Sequence, residues 1–472
     1  MQRLRHKRDD PRWPGSAMVR FVFALPIIQL AVIVWLIWDR SFAAPWQDEW
    51  ALVNLVERAQ EGTLRFSYLW SFHNGHRIVV PRLIALLLIE WSDWDRRVLA
   101  SANIVCALGT AALLVLSTRR SLRSPRVGPV VAAAVPVLVL SLAQVESWVL
   151  PFTINLLATT FGLALCIWAI GVPRAGWRRL VVGIGGALVA SLSSAAGLLV
   201  WVAASPLLWR LGRWKAAVWA GVAVAVIIPY LQGFTSRPGA GKLAASGPRE
   251  VLVYAISFLG APIGYDVLPL AFLFGLLGLV LVPANLVVFW RHGENGASDV
   301  LPVLPWVTLA LFALGAAAVT ALGRGGNVSG ARQALATRYH TFSALWWVAM
   351  VLIGVLAMSR LVGSPTPPGD RRVAFMRRAL VGANGAVLGA AVVCFVVANV
   401  IAVRDATTWL ASARRDESCV FNYRTAADQC LARFHHNPNI VRNRAPYLEE
   451  HHLAIFDERH AAMIGSPGDE GP

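Results

Sequence analysis

Apolar residues in this chain come in runs of about 20, the length a helix needs to cross the hydrocarbon of a bilayer, and short stretches rich in Arg, Pro and Gly separate them. About eleven such passes are predicted. They run from Met18 to Trp38, Val98 to Leu116, Val130 to Leu150, Phe152 to Val172, Leu180 to Ala195, Gly197 to Trp209, Ala216 to Leu231, Val267 to Trp290, Val300 to Leu322, Thr341 to Met358 and Leu380 to Val403. The two short runs meeting at Ser193, Ser194 and Gly197 read as a broken hairpin, and irregular backbone at that depth is tolerated only where it lines a cavity. The expected fold is therefore an all-α polytopic membrane domain over residues 18–403.

Composition agrees. With 57% hydrophobic and 15% charged residues and a mean hydropathy of +0.57, lipid rather than water is the natural solvent. The first run, Phe21 to Trp38, ends at Asp39 and Arg40 without a small-residue cleavage site, so it reads as a retained helix and not a signal peptide. The formal net charge of +17 does not point to nucleic acid, because the arginines cluster in short stretches between apolar runs. Clusters at Arg3 to Arg20, Arg119 to Arg126, Arg174 to Arg179, Arg210 to Lys215 and Arg360 to Arg378 all fall on one side, which the positive-inside bias makes the cytoplasm. Residues 1–17 then form a cytoplasmic basic N-terminus. Residues 41–97 form a large first external loop, with the turn at Glu146 to Pro151 and the segments Phe234 to Tyr265 and Gly323 to His340 on the same face. The tail 404–472 ends outside. Richness in Ala, Val, Gly and Arg fits a bacterial plasma membrane.

The tail holds Cys419 and Cys430, the two cysteines in extramembrane sequence; Cys106, Cys166 and Cys394 lie within helices. An oxidising compartment allows this pair a disulfide, and two free thiols remain the alternative. No zinc-type spacing accompanies them, and no internal repeat of the kind found in many transporters is visible.

Polar residues concentrate on the external side. After the first helix come Trp46-Gln47-Asp48-Glu49-Trp50, then His73-Asn74-Gly75-His76-Arg77, then Pro81-Arg82-Leu83, leading into an apolar stretch, Ile78 to Trp91, too short to span and expected to lie along the interface. Asp48 could simply cap a helix between interfacial tryptophans, but that leaves the second polar cluster unexplained. Glu146, at the outer end of the third pass, is a site candidate because a carboxylate there is costly unless it faces a cavity, a partner or water. Arg324, Arg332 and Arg338-Tyr339-His340 put arginines in an external loop against the topological bias, which fits a hold on phosphate as well as solvated charge. Together these features fit transfer of a sugar from a polyprenyl-phosphate donor. One carboxylate takes the proton of an acceptor hydroxyl, while arginines stabilise the departing phosphate. No Rossmann or P-loop signature argues for a nucleotide.

The Asp-Glu pair in the loop after the first helix, the second acid at the outer end of a later helix and the many passes that follow resemble the GT-C superfamily of membrane glycosyltransferases. The strings Gln47-Asp48-Glu49-Trp50, His73 to Arg77 with Pro81-Arg82-Leu83, Gln144 to Trp148, Ser194 to Trp201 and Arg338-Tyr339 with Thr341-Phe342-Ser343 look like a bacterial branch of it. The resemblance covers roughly the first 350 residues and is specific at those strings. It implies a catalytic Asp48, with Glu49 as neighbour or alternate base, and Glu146 as a second acid that orients substrate. The family also places a basic residue at the lipid phosphate, for which Arg338 and Arg324 come ahead of Arg77. His73, Asn74, His76 and Tyr339 are further substrate-binding candidates.

The expected partners are a polyprenyl-phosphate sugar, a glycan, lipid or protein acceptor, and membrane lipids. A divalent cation, Mg²⁺ or Mn²⁺, is compatible with carboxylates and a phosphate donor, although two separated acids are not a ligand set. A transporter or flippase of lipid-linked saccharides is the alternative function; it predicts ionisable residues near the midplane, and the helix interiors are nearly free of charge. An assembly protein without chemistry is a third reading, and under it the loss of Asp48 has no consequence.

Overall fold

A computed structural model describes residues 16–122, 124, 127–234, 247–292, 300–323, 330–363 and 371–458. Helix α1 (Ser16–Trp38) leads into a loop region built of a 3-10 helix (Gln47–Leu52), α2 (Val53–Gln60), α3 (Phe66–Trp70), the antiparallel pair β1 (Phe72–His73) and β2 (His76–Arg77), and α4 (Val79–Ser92). The bundle continues with α5 (Arg96–Ser121), α6 (Val127–Val139), α7 (Val145–Val149), α8 (Ile154–Ile170), α9 (Trp177–Ser191), α10 (Leu199–Ala203), α11 (Ser205–Leu208) and α12 (Arg213–Leu231). It is completed by α13 (Pro248–Gly264), α14 (Leu268–Arg291), α15 (Leu304–Gly323), α16 (His340–Gly363) and α17 (Arg371–Asp416). Among the described residues, 7 helices are long and apolar enough to cross a membrane, the build of an all-α multi-pass membrane protein. Val392, Val393, Val396 and Val400 on α17 face outward with their side chains exposed, as lipid-facing positions do.

Several expected passes take another form. The run Val130 to Leu150 is not one helix: α6 stops at Val139, and α7 begins at Val145 after a bend. The bend is held by Asn399 of α17, whose Oδ1 accepts the Leu142 N–H at 2.6 Å, and by Trp148, whose indole N–H donates to the Ser141 carbonyl at 2.9 Å. Side chains thus take over backbone groups that a continuous helix would have satisfied itself. The expected break at Ser193 to Gly197 is present as a gap between α9 and a 3-10 turn, Ala195–Leu198. The segment Phe234 to Tyr265, read from sequence as loop, contains α13. Its second half, Ser257 to Gly264, is entirely buried, and its apolar run from Val251 is shorter than the length by which the passes were read.

Helix α13 packs as a tight antiparallel hairpin against α14, and small residues make the approach possible. A Cβ on Gly275 would stand 1.9 Å from the Ile256 carbonyl oxygen, and one on Gly260 would stand 1.9 Å from that of Ala271. By contrast, Gly389 on the outer surface of α17 has nothing within 4 Å.

The chain after residue 404 is not a loose tail. Helix α17 runs on to Asp416, and α18 (Ser418–Phe421), α19 (Asp428–Leu431) and α20 (Pro438–Glu450) form a small module closed by a disulfide between Cys419 and Cys430, Cα atoms 5.9 Å apart. Val420, Leu431, Phe434, Val441 and Leu448 make its core, and it docks on the loop region between α1 and α5.

Gly275→Val is expected to lower bundle stability by about 1–3 kcal/mol or more, because two backbones must separate. Gly389→Ala should leave it unchanged or raise it by up to about 1 kcal/mol. Thermal unfolding of the two variants in detergent measures the difference.

Candidate active site

The loop region is organised around a buried ion pair. Glu49 sits in the first turn of the 3-10 helix Gln47–Leu52, where its Oε2 accepts the Trp46 N–H at 3.2 Å. Both of its oxygens are also held by Arg96 at the start of α5: Nε donates to Oε2 at 2.8 Å and Nη2 to Oε1 at 3.0 Å. Each side chain is 1% exposed. Burial pushes the Glu49 carboxyl above its ordinary value, and the Arg96 guanidinium opposes that. Arg96 also donates to the Phe42 carbonyl at 3.0 Å and lies over the Phe42 ring. Glu49 is therefore a structural anchor rather than an alternate base: no substrate reaches a carboxylate enclosed and doubly bound in this way. Arg96 was not identified from sequence; its position just ahead of an apolar run was the available signal.

Asp48 points the other way and is about half exposed, at 52%. Its partners come from the His73-Asn74-Gly75-His76 turn. Asn74 (φ +53°) and Gly75 (φ +80°) both adopt the left-handed region, the signature of a two-residue type I′ hairpin, for which Asn-Gly is the favoured pair. The hairpin aims the Asn74 amide at Asp48, donating to Oδ1 at 2.8 Å. His73 Nε2 stands 3.5 Å from the same oxygen, and its ring packs against Phe152 at 4.8 Å between centroids.

Two candidates in the same segment hold the scaffold instead. His76 accepts the Ala195 N–H on its Nδ1 at 3.1 Å, pinning the hairpin to the α9–α10 break. Arg77, expected to touch phosphate, is 6% exposed and donates to the carbonyls of Tyr230, Trp70 and Gln232, with its guanidinium over the Phe72 ring at 3.9 Å. It ties the hairpin to the end of α12. Arg82 does the same for the end of α3, donating to the carbonyls of Tyr68, Leu69 and Ser71.

Glu146, on α7, is bound to the segment just ahead of α16. Its Oε2 accepts from the Arg338 N–H at 3.0 Å and the Thr337 hydroxyl at 3.2 Å, and its Oε1 accepts from Arg338 Nη1 at 2.8 Å. With three donors committed to it, Glu146 holds a cation in place. Arg338 keeps 33% of its side chain exposed, with its guanidinium near the ring of buried Tyr339, which also packs on Phe258. Tyr339 thus supports Arg338 from below. Arg324 lies outside the described residues. Next to this pair stands Tyr265, whose hydroxyl donates to Asp405 Oδ2 at 3.1 Å. Neither residue was identified from sequence.

The two acids occupy one face of the bundle. Phe152, against which His73 packs, lies in the 3-10 turn Pro151–Thr153 that directly follows α7, and the Thr153 hydroxyl donates to the Ser147 and Leu150 carbonyls at 3.2 and 2.6 Å. Beside Phe152 a narrow apolar crevice of about 20 Å³ lies between α4, α5 and α8, lined by Leu52, Ile78, Pro81, Leu88, Leu99 and Phe152 among others, with Arg82 at its edge. On the outside of α4, Leu83, Leu87 and Trp91 form an exposed apolar stripe, as in a helix lying at a membrane interface. Among the described residues, no group of three or more His, Cys, Asp or Glu is arranged to hold a metal ion.

The contrast between adjacent acids is directly testable. Glu49→Gln strips Arg96 of its buried counter-charge and should cost about 3–5 kcal/mol, whereas Asp48→Asn, at a half-exposed position, should change stability by less than about 1 kcal/mol. Thermal unfolding of the two variants side by side measures this. No protein-family model, no curated protein and no solved structure matches the chain.

Proposed function

We propose that this chain is an inverting glycosyltransferase that takes a sugar from a polyprenyl-phosphate donor at the outer face of a bacterial plasma membrane. The observation that carries the reading is the placement of Asp48. It is a half-exposed carboxylate, steered by Asn74 and by His73, whose ring rests on Phe152, on the face where Glu146 holds Arg338.

Each part has a task in a single displacement. The donor's hydrocarbon chain stays in the bilayer along the exposed apolar stripe of α4, Leu83, Leu87 and Trp91, leaving the phosphosugar at the rim. The acceptor hydroxyl oxygen attacks the anomeric carbon from the face opposite the phosphate. Asp48 removes the hydroxyl proton as the new bond forms. The bond from the anomeric carbon to the phosphate oxygen breaks with its electron pair going to the phosphate, and Arg338, already oriented by Glu146, stabilises the charge that collects there. Preorganisation is the point of the Glu146 carboxylate: a guanidinium tied down before substrate arrives need not reorganise during reaction. Resemblance to the GT-C superfamily supports the same assignment of Asp48, with Glu146 acting on substrate through Arg338.

A flippase for lipid-linked saccharides would need charged groups along its path. Among the described residues, the buried charged side chains Glu49, Arg77 and Arg96 belong to the loop region, and Glu417 lies at the start of the C-terminal module. That distribution favours chemistry at one face over passage between faces.

Purified protein in proteoliposomes, supplied with polyprenyl-phosphate sugars and a mixture of hydroxyl acceptors, is expected to release polyprenyl phosphate. Asp48→Asn should lower the rate about 100-fold or more, and Arg338→Met by a comparable factor, with both variants still folded. Unchanged transfer in Asp48→Asn, or lipid translocation without transfer in the native protein, contradicts the proposal.

A further inference from the structure

The module after α17 grips the loop that carries Asp48 at two points. Ala43 donates its N–H to Glu417 Oε2 at 2.7 Å, and Gln47 donates its N–H to the Phe434 carbonyl at 2.6 Å and its side-chain amide to the Arg433 carbonyl at 3.4 Å. Between these grips, Phe42 and Trp46 pack edge to face against Trp409 and Phe434. Gln47, immediately before Asp48, has φ +47°, a left-handed conformation that a residue with a Cβ adopts only when its surroundings impose it. The Phe434 carbonyl and the ring contacts supply that imposition. Glu417 stands two residues before Cys419, and Phe434 stands four residues after Cys430, so the disulfide joins the two gripping segments. His435, next after Phe434, is close enough for the charge of Asp48 to act on its ring.

We infer that the disulfide-closed C-terminal module is the positioning element for Asp48: Glu417 and the Phe434 carbonyl, spaced by the Cys419–Cys430 bond, hold Ala43 and Gln47 so that the carboxylate faces the substrate. The inference rests on the reading of Asp48 as the general base. Neither grip touches substrate, and both act through the backbone of the loop. Opening the disulfide lets the two grips move apart, relaxes Gln47 out of its left-handed conformation and swings Asp48 away from the hydroxyl it deprotonates. A misplacement of about 1 Å is enough to slow a reaction by roughly 10-fold to 100-fold. The same device makes activity conditional on an oxidising exterior.

The test is hydrogen–deuterium exchange on the full chain in proteoliposomes, oxidised and after treatment with a small-molecule dithiol reductant, with transfer measured on the same samples. Reduction is expected to speed exchange of the 43–52 amides by about tenfold or more while those of α5 and α16 keep their protection, as for a local opening. The turnover number should fall roughly 10-fold or more with KM for the donor within about twofold, and reoxidation should restore it. Glu417→Ala, which removes one grip without touching the disulfide, should give the same pattern if the paired serine variant of Cys419 and Cys430 fails to fold. Unaltered protection over 43–52 after reduction overturns the inference, as does an equal loss across α5 and α16. Faster exchange at 43–52 in a protein that transfers no sugar even when oxidised supports the grip and counts against the transferase.

Discussion

The enclosed pair between Glu49 and Arg96 decides what the adjacent acid can do. A 3-10 helix turns through three residues, so consecutive side chains point about 120° apart, and a residue locked inward forces its neighbour toward the rim. With both oxygens of Glu49 bound to Arg96 and its N-terminal backbone partner at Trp46, the short helix is tethered to the end of α5 at Glu49, while the hold on Ala43 and Gln47 from the C-terminal module sets the turn that carries Asp48. Asp48 is left facing outward, and the hairpin at residues 72–77 closes on it. Everything else on this face, including the Asn74 contact and the seat of His73 on Phe152, is arranged relative to that fixed turn.

A similar division of labour separates the two halves of the face. Asp48 keeps half of its surface open and takes the Asn74 amide on one oxygen, which leaves it open to the base role proposed above. Glu146 accepts three hydrogen bonds and serves the arginine rather than the substrate directly. The bend between α6 and α7 makes this possible. Because Asn399 and Trp148 satisfy the freed backbone, α7 can start afresh and place Glu146 against the Thr337-Arg338 segment. Pinning the irregular chain with side chains from α7 and α17 turns two unconnected parts of the sequence into one electrostatic unit.

Much of this was legible in the sequence because hydropathy reports burial in lipid directly. The spans that became α1, α5, α8, α12, α14, α15, α16 and α17 stand out as apolar runs, and the interfacial stretch became α4. The break at Ser193 to Gly197 stood out, but the interruption between α6 and α7 and the polar-tipped α13 did not. Helix α13 is 17 residues long with Arg249 and Glu250 in its first turn, so its apolar part, Val251 to Gly264, falls short of the roughly 20 residues by which the passes were read. At the site, the acids and the hairpin residues were visible as residue types, but their roles depend on partners far away in the chain. Arg77 looks like a phosphate ligand until three carbonyls are found around it, and Glu49 looks like a spare base until Arg96 is found 47 positions later. The Asn-Gly turn was a local signal that could have been used. The cysteine pair foretold a bond, but not that the bond closes a folded module against the first loop.

The central claim is that lipid-linked donor lies against the outer surface of α4 with its phosphate at Arg338 and its sugar before Asp48. A cryo-electron microscopy structure of the protein bound to a non-transferable polyprenyl-phosphate sugar tests it most directly. The account predicts density for the isoprenoid chain along the exposed face of α4 at Leu83, Leu87 and Trp91, phosphate density within hydrogen-bonding distance of the Arg338 guanidinium, and the anomeric carbon facing Asp48 across the space left for an acceptor hydroxyl. Lipid density seated instead in the groove at the opposite end of α5, near Arg119 and Pro136, with the face around Asp48 empty, would contradict it.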